Sequence, residues 1–252
     1  PGLITYRTDL LMVGDEASGS TAETVLMVIA HEVAHIWYGD LVTMEWWNDL
    51  WLNEAFASWM AWSIIERLYP EFDSQLTLPQ ASAFAADQST ASKAIRRTVR
   101  TSDEVFEGAG LNYTKGRALL RMLEAYVGPD DWQASIRKYL ERYAWGNATE
   151  QDLWAVVSEV SGHDIAAIAS AFLNQPGFAL VTVEEDGTVT QNRYRLPGQA
   201  SEDLQWNIPL TIKYKKDGDI RQTFYLLDHE RGTADLPEAT ELSEGQALVL
   251  ED

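Results

Sequence analysis

The chain has 252 residues, of which 46% are hydrophobic and 23% charged, enough for a buried core in one large or two modest domains. This composition excludes a disordered or collagen-like protein, and the lack of cysteine excludes disulfide scaffolds and thiolate metal sites. With 39 acidic and 19 basic residues, the net charge of −20 repels phosphate backbones, so nucleic acid is not expected as a partner.

The N-terminal residues predict a short strand over 3–6, followed by a loop. They carry no basic-then-apolar signal, and a chain that begins at Pro1 is expected to be cut from a longer protein. No apolar run is long enough to span a membrane, so we expect a soluble chain of unknown compartment.

Two long helices are predicted next, over about 21–38 and 51–68. Ser20 and Glu23 match a capping box for the first helix, which Gly39 is placed to end. The second helix is apolar on most sides and stops before Pro70, which predicts a central position in the core.

The rest of the chain changes character at Gly177. Helices are predicted over 114–127, 132–143, 149–161 and 164–173. Strands are predicted over 180–183, 188–195, 208–214 and 220–227, with turn signals at 186–187 and 217–218. We therefore expect a mainly helical fold with a separate β module, divided into a domain of residues 1–177 and a small domain of residues 178–252.

A pair of histidines on the first helix indicates a metal site. His31 and His35 are four residues apart, so they share one helix face and both imidazoles can reach a single ion. Zinc suits neutral imidazole, and Glu32 between them can act as a general base toward water that the metal activates.

A zinc held by two histidines needs a third protein ligand and one open position. Glu54 is the best candidate, because a carboxylate near the start of so apolar a helix is costly to bury unless it is paired or metal-bound. If the two helices pack side by side, Glu54 reaches both histidines.

Plainer readings of these residues remain. The histidine pattern also occurs by chance, two histidines can be satisfied core residues, and Glu54 can be a solvated charge at a helix start. The joint presence of all four residues on helices favours the metal site. The other two histidines, His163 and His229, lie in segments without such context and are not assigned to it.

Two longer segments, residues 31–44 and 46–54, closely resemble the zinc aminopeptidases of the aminopeptidase N family, which are gluzincins. The resemblance implies one zinc ion held by His31, His35 and Glu54, with Glu32 as the base. Residues 2–7 and 112–123 extend the similarity, and the second segment implicates Tyr113 as a catalytic tyrosine that stabilises an oxyanion.

The family also implies a fold and a substrate class. Residues 1–177 would be a thermolysin-like catalytic domain that lacks its N-terminal part, and residues 178–252 a small β-sandwich. The substrates would be peptides with a free N-terminus. Residues 1–252 do not include the family's Gly-Ala-Met-Glu-Asn motif, which helps bind the substrate α-amino group, and we expect the motif and the family's N-terminal and C-terminal domains in the parent enzyme. Ala55, Asp40 and Arg117 replace the more usual glycine, asparagine and alanine.

Three functional hypotheses follow. The leading one is a zinc metallopeptidase that removes N-terminal amino acids from peptides. The alternative is an excised structural unit that binds zinc but has little activity alone. A third is an endopeptidase or an epoxide-opening relative with the same site chemistry, which only substrate profiling separates from the first.

Overall fold

The computed structural model describes residues 2–14, 18–72, 79–89, 91–199, 202–217, 219–236 and 241–242. Helices dominate the first two thirds of the chain, and antiparallel strands follow, which confirms the predicted mainly helical fold with a β module. The boundary proposed at residue 177 stays a prediction.

The helices of the described residues are α1 (Gly19–Ala34), α2 (Leu50–Leu68), α3 (Pro79–Asp87), α4 (Ser102–Phe106), α5 (Gly110–Val127), α6 (Pro129–Arg142), α7 (Glu150–Ser161) and α8 (Ile165–Leu173). The strands are β1 (Val42–Met44), β2 (Gly146–Ala148), β3 (Ala179–Val183), β4 (Thr188–Arg193), β5 (Ile208–Lys216), β6 (Asp219–Leu227), β7 (Arg231–Thr233) and β8 (Glu241–Leu242).

Helix α1 starts two residues earlier than predicted. Its N-cap is Ser18, whose hydroxyl accepts a hydrogen bond from the Thr21 N–H at 3.3 Å. The predicted capping box of Ser20 and Glu23 is therefore wrong, because both residues already lie inside the helix.

Helix α1 also ends earlier than predicted, at Ala34, with His35 as the C-cap. The next turn is tightened by i→i−3 bonds, from Ile36 N–H to the Val33 carbonyl and from Trp37 N–H to the Ala34 carbonyl. Gly39, expected to end the helix, lies beyond this turn with a φ of 138°, a backbone conformation that side chains disfavour.

The predicted N-terminal strand is absent. Residues 2–7 have no regular secondary structure, and none of the described strands pairs with them. The reason is physical: an extended segment becomes a strand only where a neighbour completes its ladder of hydrogen bonds. Tyr6 from this segment is nevertheless half-buried and lies within electrostatic reach of Glu32.

Helix α2 lies at the centre of the helical part, as predicted. Trp51, Ala55 and Phe56 are fully buried on it. Trp51 stacks on Trp154 with ring centroids 5.6 Å apart, and Phe56 stacks on Trp132 at 6.4 Å. Aromatic pairs of this kind bury large areas and keep defined geometry, so α2 is a rigid platform for any side chain it presents.

A short parallel sheet follows α1 directly. Strand β1 pairs with β2, with Val42 opposite Gly146 and Met44 opposite Ala148. This pairing holds the connection between α1 and α2 against the segment that precedes α7. The sequence analysis assigned no secondary structure to that connection.

The β module contains two antiparallel sheets in the described residues, ordered β3-β4-β7 and β6-β5-β8. Buried residues from both sheets, among them Val181, Val189, Ile212 and Leu227, form one cluster around Trp206. The predicted turn between β3 and β4 is present. At the turn between β5 and β6, Asp217 has a φ of 55°, and Gly218 lies outside the described residues.

A buried ion pair joins the helices to the start of this module. Lys115 of α5 donates to Asp87 of α3 at 2.7 Å and to the Gly177 carbonyl at 3.0 Å. Asp87 in turn accepts a hydrogen bond from the Gly177 N–H at 2.8 Å. Since a buried charge is stable only when it is paired, this cluster anchors α5 to α3 and to the chain at Gly177.

In the described part of the chain, the helices are all too short or too polar to cross a membrane.

Candidate metal centre

Two imidazoles of α1 converge on one point. His31 and His35 are one helical turn apart, and their Nε2 atoms lie 3.0 Å from each other. The ring planes are perpendicular, with centroids 4.6 Å apart. The two rings therefore do not stack; they point corresponding nitrogen atoms toward a shared position, which is the arrangement that a single ion requires.

Helix α2 adds a carboxylate to this pair. Oε2 of Glu54 lies 3.2 Å from Nε2 of His31 and 3.5 Å from Nε2 of His35. Among the described residues, these three form the one group of His, Cys, Asp and Glu that could hold a metal ion. The structure thus brings together the three residues that the sequence analysis selected.

The triangle of ligand atoms has a size that zinc fits. With bonds of about 2.0–2.1 Å to nitrogen and oxygen, two ligands at adjacent corners of a tetrahedron are roughly 3.3 Å apart. The three separations, 3.0, 3.2 and 3.5 Å, lie around this value. Two nitrogens and one oxygen also match the donor preference of zinc, and three protein ligands leave the fourth position open.

The far nitrogen of each imidazole has a fixed partner. Nδ1 of His35 lies 2.9 Å from the carbonyl oxygen of Tyr38, which can only accept, so this nitrogen carries the proton. Nδ1 of His31 lies 3.3 Å from Oγ of Ser58. Such contacts orient metal-binding imidazoles, and the Tyr38 carbonyl also selects the tautomer of His35 whose Nε2 lone pair is free.

Sequence reasoning missed Ser58, although a signal existed. Ser58 lies four residues after Glu54, so both side chains project from one face of α2. It is also a buried hydroxyl on an apolar helix, 7% exposed, and such a group needs a partner.

Replacing Ser58 with alanine is expected to weaken zinc binding by about 10–100-fold, because His31 loses the group that orients it. The zinc dissociation constant should be measured by competition with a chromophoric chelator. Ser63→Ala is the matched control, since Ser63 lies exposed on the same helix and donates to the Trp59 carbonyl. Equal zinc affinity of the two variants would contradict the role of Ser58.

The electrostatics of the centre favour a negatively charged Glu54. Burial opposes its ionisation, but the hydrogen bonds and positive charges that His31 and His35 offer when their rings are protonated lower the pKa of Glu54 to about 2. Burial likewise opposes protonation of His35, yet its bonds to Glu54 and to the Tyr38 carbonyl raise the pKa of that ring. Glu54 is therefore a carboxylate throughout the neutral range.

Tyr113 of α5 borders the same centre. Its ring centroid lies 5.7 Å from that of His31, and its side chain is 38% exposed. Partial burial, and then the charge and hydrogen bond of Glu54, raise the pKa of Tyr113 to about 12. The phenol consequently keeps its proton at neutral pH and can donate a hydrogen bond.

Glu32 lies between the two histidines in sequence and is half-buried. Its charge contributes to the raised pKa of Tyr6, His35 and Tyr113, which places its carboxylate within electrostatic reach of all three. Tyr6 was not singled out in the sequence, because nothing local distinguishes it. Its proximity to Glu32 arises from the path of the N-terminal segment.

The remaining two histidines lie elsewhere, as expected. His163 is exposed after α7, with its ring 4.9 Å from that of Tyr126, and His229 is exposed beside Asp228. Neither belongs to the candidate metal group.

Comparison with known proteins identifies the family of the chain that carries this centre. The peptidase family M1 domain matches residues 1–172, which include all of α1, α2, α5 and the residues of the metal centre. The chain belongs to peptidase family M1. This membership agrees with the resemblance to aminopeptidase N that the sequence showed around the two histidines and Glu54.

Several curated relatives of this M1 chain carry aminopeptidase names. It is 40% identical to aminopeptidase 2 of Candida albicans over 210 residues, which is 80% of this chain and 23% of that protein. It is 38% identical to leucyl aminopeptidase of Saccharolobus solfataricus over 239 residues, which is 92% of this chain and 30% of that protein. The M1 chain therefore spans less than a third of the length of these relatives.

Proposed function

We propose that this chain is the zinc-binding catalytic unit of a metallo-aminopeptidase that removes N-terminal amino acids from peptides. The observation that supports this most is the triangle of His31, His35 and Glu54, at separations of 3.0–3.5 Å, in a chain that belongs to peptidase family M1. The similarity to aminopeptidases favours this function over a zinc-binding unit with no activity.

His31, His35 and Glu54 would hold one zinc ion. When bound, zinc supplies a Lewis acid that lowers the pKa of water toward neutrality and polarises a carbonyl group. The Tyr38 carbonyl keeps His35 in the tautomer that binds it, and Ser58 contacts the far nitrogen of His31. We assign the helical part to a thermolysin-like catalytic domain and the strands to a β-sandwich, consistent with the shared core of the two sheets.

Glu32 and Tyr113 would carry the proton transfer and the charge stabilisation. The Glu32 carboxylate takes a proton from the attacking water and delivers it to the nitrogen of the leaving amine. The Tyr113 hydroxyl donates a hydrogen bond to the oxygen that becomes negative as the scissile carbonyl is attacked. Its position beside His31 and Glu54 supports this role.

Peptides with a free N-terminus are the proposed substrates, and one of the relatives is a leucyl aminopeptidase. The greater length of the relatives supports the proposal that further domains complete the cleft in the intact protein. The group that binds the substrate α-amino nitrogen is expected in those additional residues.

The proposal is tested by assaying the intact protein on an aminoacyl p-nitroanilide and on its N-acetylated form. We expect turnover of the free amine only. Removal of the metal with 1,10-phenanthroline should abolish turnover, and one equivalent of Zn²⁺ should restore it. Residues 1–252 alone should be assayed in parallel, with zinc measured in both proteins.

Two outcomes would contradict the proposal. Undiminished turnover after the metal has been removed would exclude metal-assisted hydrolysis. Equal cleavage of the acetylated substrate would identify an endopeptidase in place of an aminopeptidase.

A further inference from the structure

Helices α2 and α5 touch at a point where α5 has no room for a side chain. A β-carbon placed on Gly116 would lie 2.6 Å from the β-carbon of Ala55, although the Ala55 α-carbon is 3.7 Å away. Both residues are buried. Because non-bonded carbon atoms rest at about 3.5–4.0 Å, a side chain at residue 116 would have to separate the two helices by roughly 1 Å.

The contact between Gly116 and Ala55 lies close to the proposed catalytic groups along both helices. Ala55 follows the ligand Glu54 on α2, and Gly116 lies three residues after Tyr113 on α5. Residues three apart occupy the same side of a helix, so Tyr113 and Gly116 both face α2. The separation of the helices at Ala55 therefore sets how closely Tyr113 approaches Glu54 and His31.

The other contacts of α5 cannot absorb a shift at this point. Toward its C-terminal end, α5 is held to α2 by Arg121–Glu66 and Trp59–Glu124 contacts, both at 2.7 Å. Lys115, the residue before Gly116, is held by Asp87 and Gly177. A wedge at Gly116 would consequently strain this anchor and displace the first turns of α5, which carry Tyr113, away from the metal centre.

We propose that Gly116 is a positioning residue, whose missing side chain lets α5 lie against Ala55 and so holds Tyr113 at hydrogen-bonding distance from the reacting carbonyl oxygen. This inference rests on the proposed roles of zinc and Tyr113. It adds that the contact of Gly116 with Ala55, and not the tyrosine alone, determines the stabilisation of the oxyanion.

The test compares four variants of the intact, zinc-loaded protein: Gly116→Ala, Gly110→Ala, Tyr113→Phe and the double variant Ala55→Gly with Gly116→Ala. Gly116→Ala should lower kcat by about 10–100-fold with little change in KM or zinc content, since a displacement of about 1 Å can cost this much. Tyr113→Phe sets the limit, because loss of one oxyanion donor costs about 10²–10³ in kcat.

Gly110→Ala is the matched control for adding a methyl group to α5. A β-carbon at Gly110 meets no atom within 4 Å, so kcat should stay within about threefold of wild type. The double variant should also have a kcat within about threefold of wild type. Without the Ala55 β-carbon, the β-carbon at residue 116 meets only ordinary contacts at 3.7 Å and beyond. A purely structural glycine would change thermal stability without this loss and recovery of kcat.

The outcomes separate the two proposals. A folded Gly116→Ala protein with nearly wild-type kcat would overturn the positioning role. If that variant does not fold, a folded double variant with a kcat more than tenfold below wild type would overturn it as well. Failure of the wild-type protein to hydrolyse the peptide amide would instead overturn the proposed function, and full activity of Tyr113→Phe would overturn the role of the tyrosine.

Discussion

Glu32→Gln is expected to reduce the kcat of peptide hydrolysis by about 10²–10⁴-fold, the range that a positioned general base supplies. The amide of glutamine has the same shape as the carboxylate but cannot accept the proton of the attacking water. Zinc content should stay at the wild-type value, because Glu32 is not among the three residues that form the metal group. Turnover of an aminoacyl p-nitroanilide and metal analysis of the same samples measure both effects.

Glu23→Gln provides the control on the same helix. Glu23 is nine residues before Glu32, which places it on the opposite side of α1. Its substitution removes the same charge without touching the centre, so kcat should be unchanged. If Glu32→Gln kept activity within a few-fold of wild type while binding zinc, the proton transfer would belong to another group.

Glu54→Gln is expected to release zinc. The carboxylate is the negative member of the ligand triangle, with Oε2 3.2 Å from His31 and 3.5 Å from His35. A neutral amide gives a much weaker zinc ligand, so affinity should fall by more than the roughly 10–100-fold that outer-shell changes cost. Activity should fall with the metal content, and added Zn²⁺ should restore part of it.

The measurement is the zinc retained after dialysis against a weak chelator, with circular dichroism to verify the fold. Glu66→Gln is the control on α2, since Glu66 pairs with Arg121 at 2.7 Å and is not part of the centre. Glu54→Gln with a full equivalent of tightly bound zinc would show that Glu54 is not a ligand. Together with Glu32→Gln, this variant separates loss of the metal from loss of the base.

Local sequence patterns predicted most helices and strands to within a few residues. Helix α7 is the clearest case: it was predicted over 149–161 and spans Glu150–Ser161, and its N-cap Thr149 forms a capping box with Asp152. The cap of α1 was predicted incorrectly because two nearby serines fit the N-cap pattern. Ser18 and Ser20 can both cap α1, and in the structure Ser18 has the extended backbone of an N-cap while Ser20 lies inside the helix.

The short sheet of β1 and β2 was not predicted because no local pattern encodes it. Its strands have three residues each and come from distant parts of the chain. At residues 3–6 the error was the opposite one, because a strand was predicted there and is not formed. Among the described residues, no strand pairs with this segment. In both cases pairing between distant segments decided the outcome.

The sequence by itself determined that His31 and His35 share one face of a helix, since four residues make about one turn. Local spacing also placed Glu32 beside them. Only the tertiary structure decided that Glu54, 23 residues beyond His31, completes the triangle and that Ser58 orients the imidazole. It also placed Gly116 against Ala55, the contact on which the proposed position of Tyr113 depends. The physical reason is that helix periodicity is local, whereas the distance between two helices depends on which side chains meet where they pack.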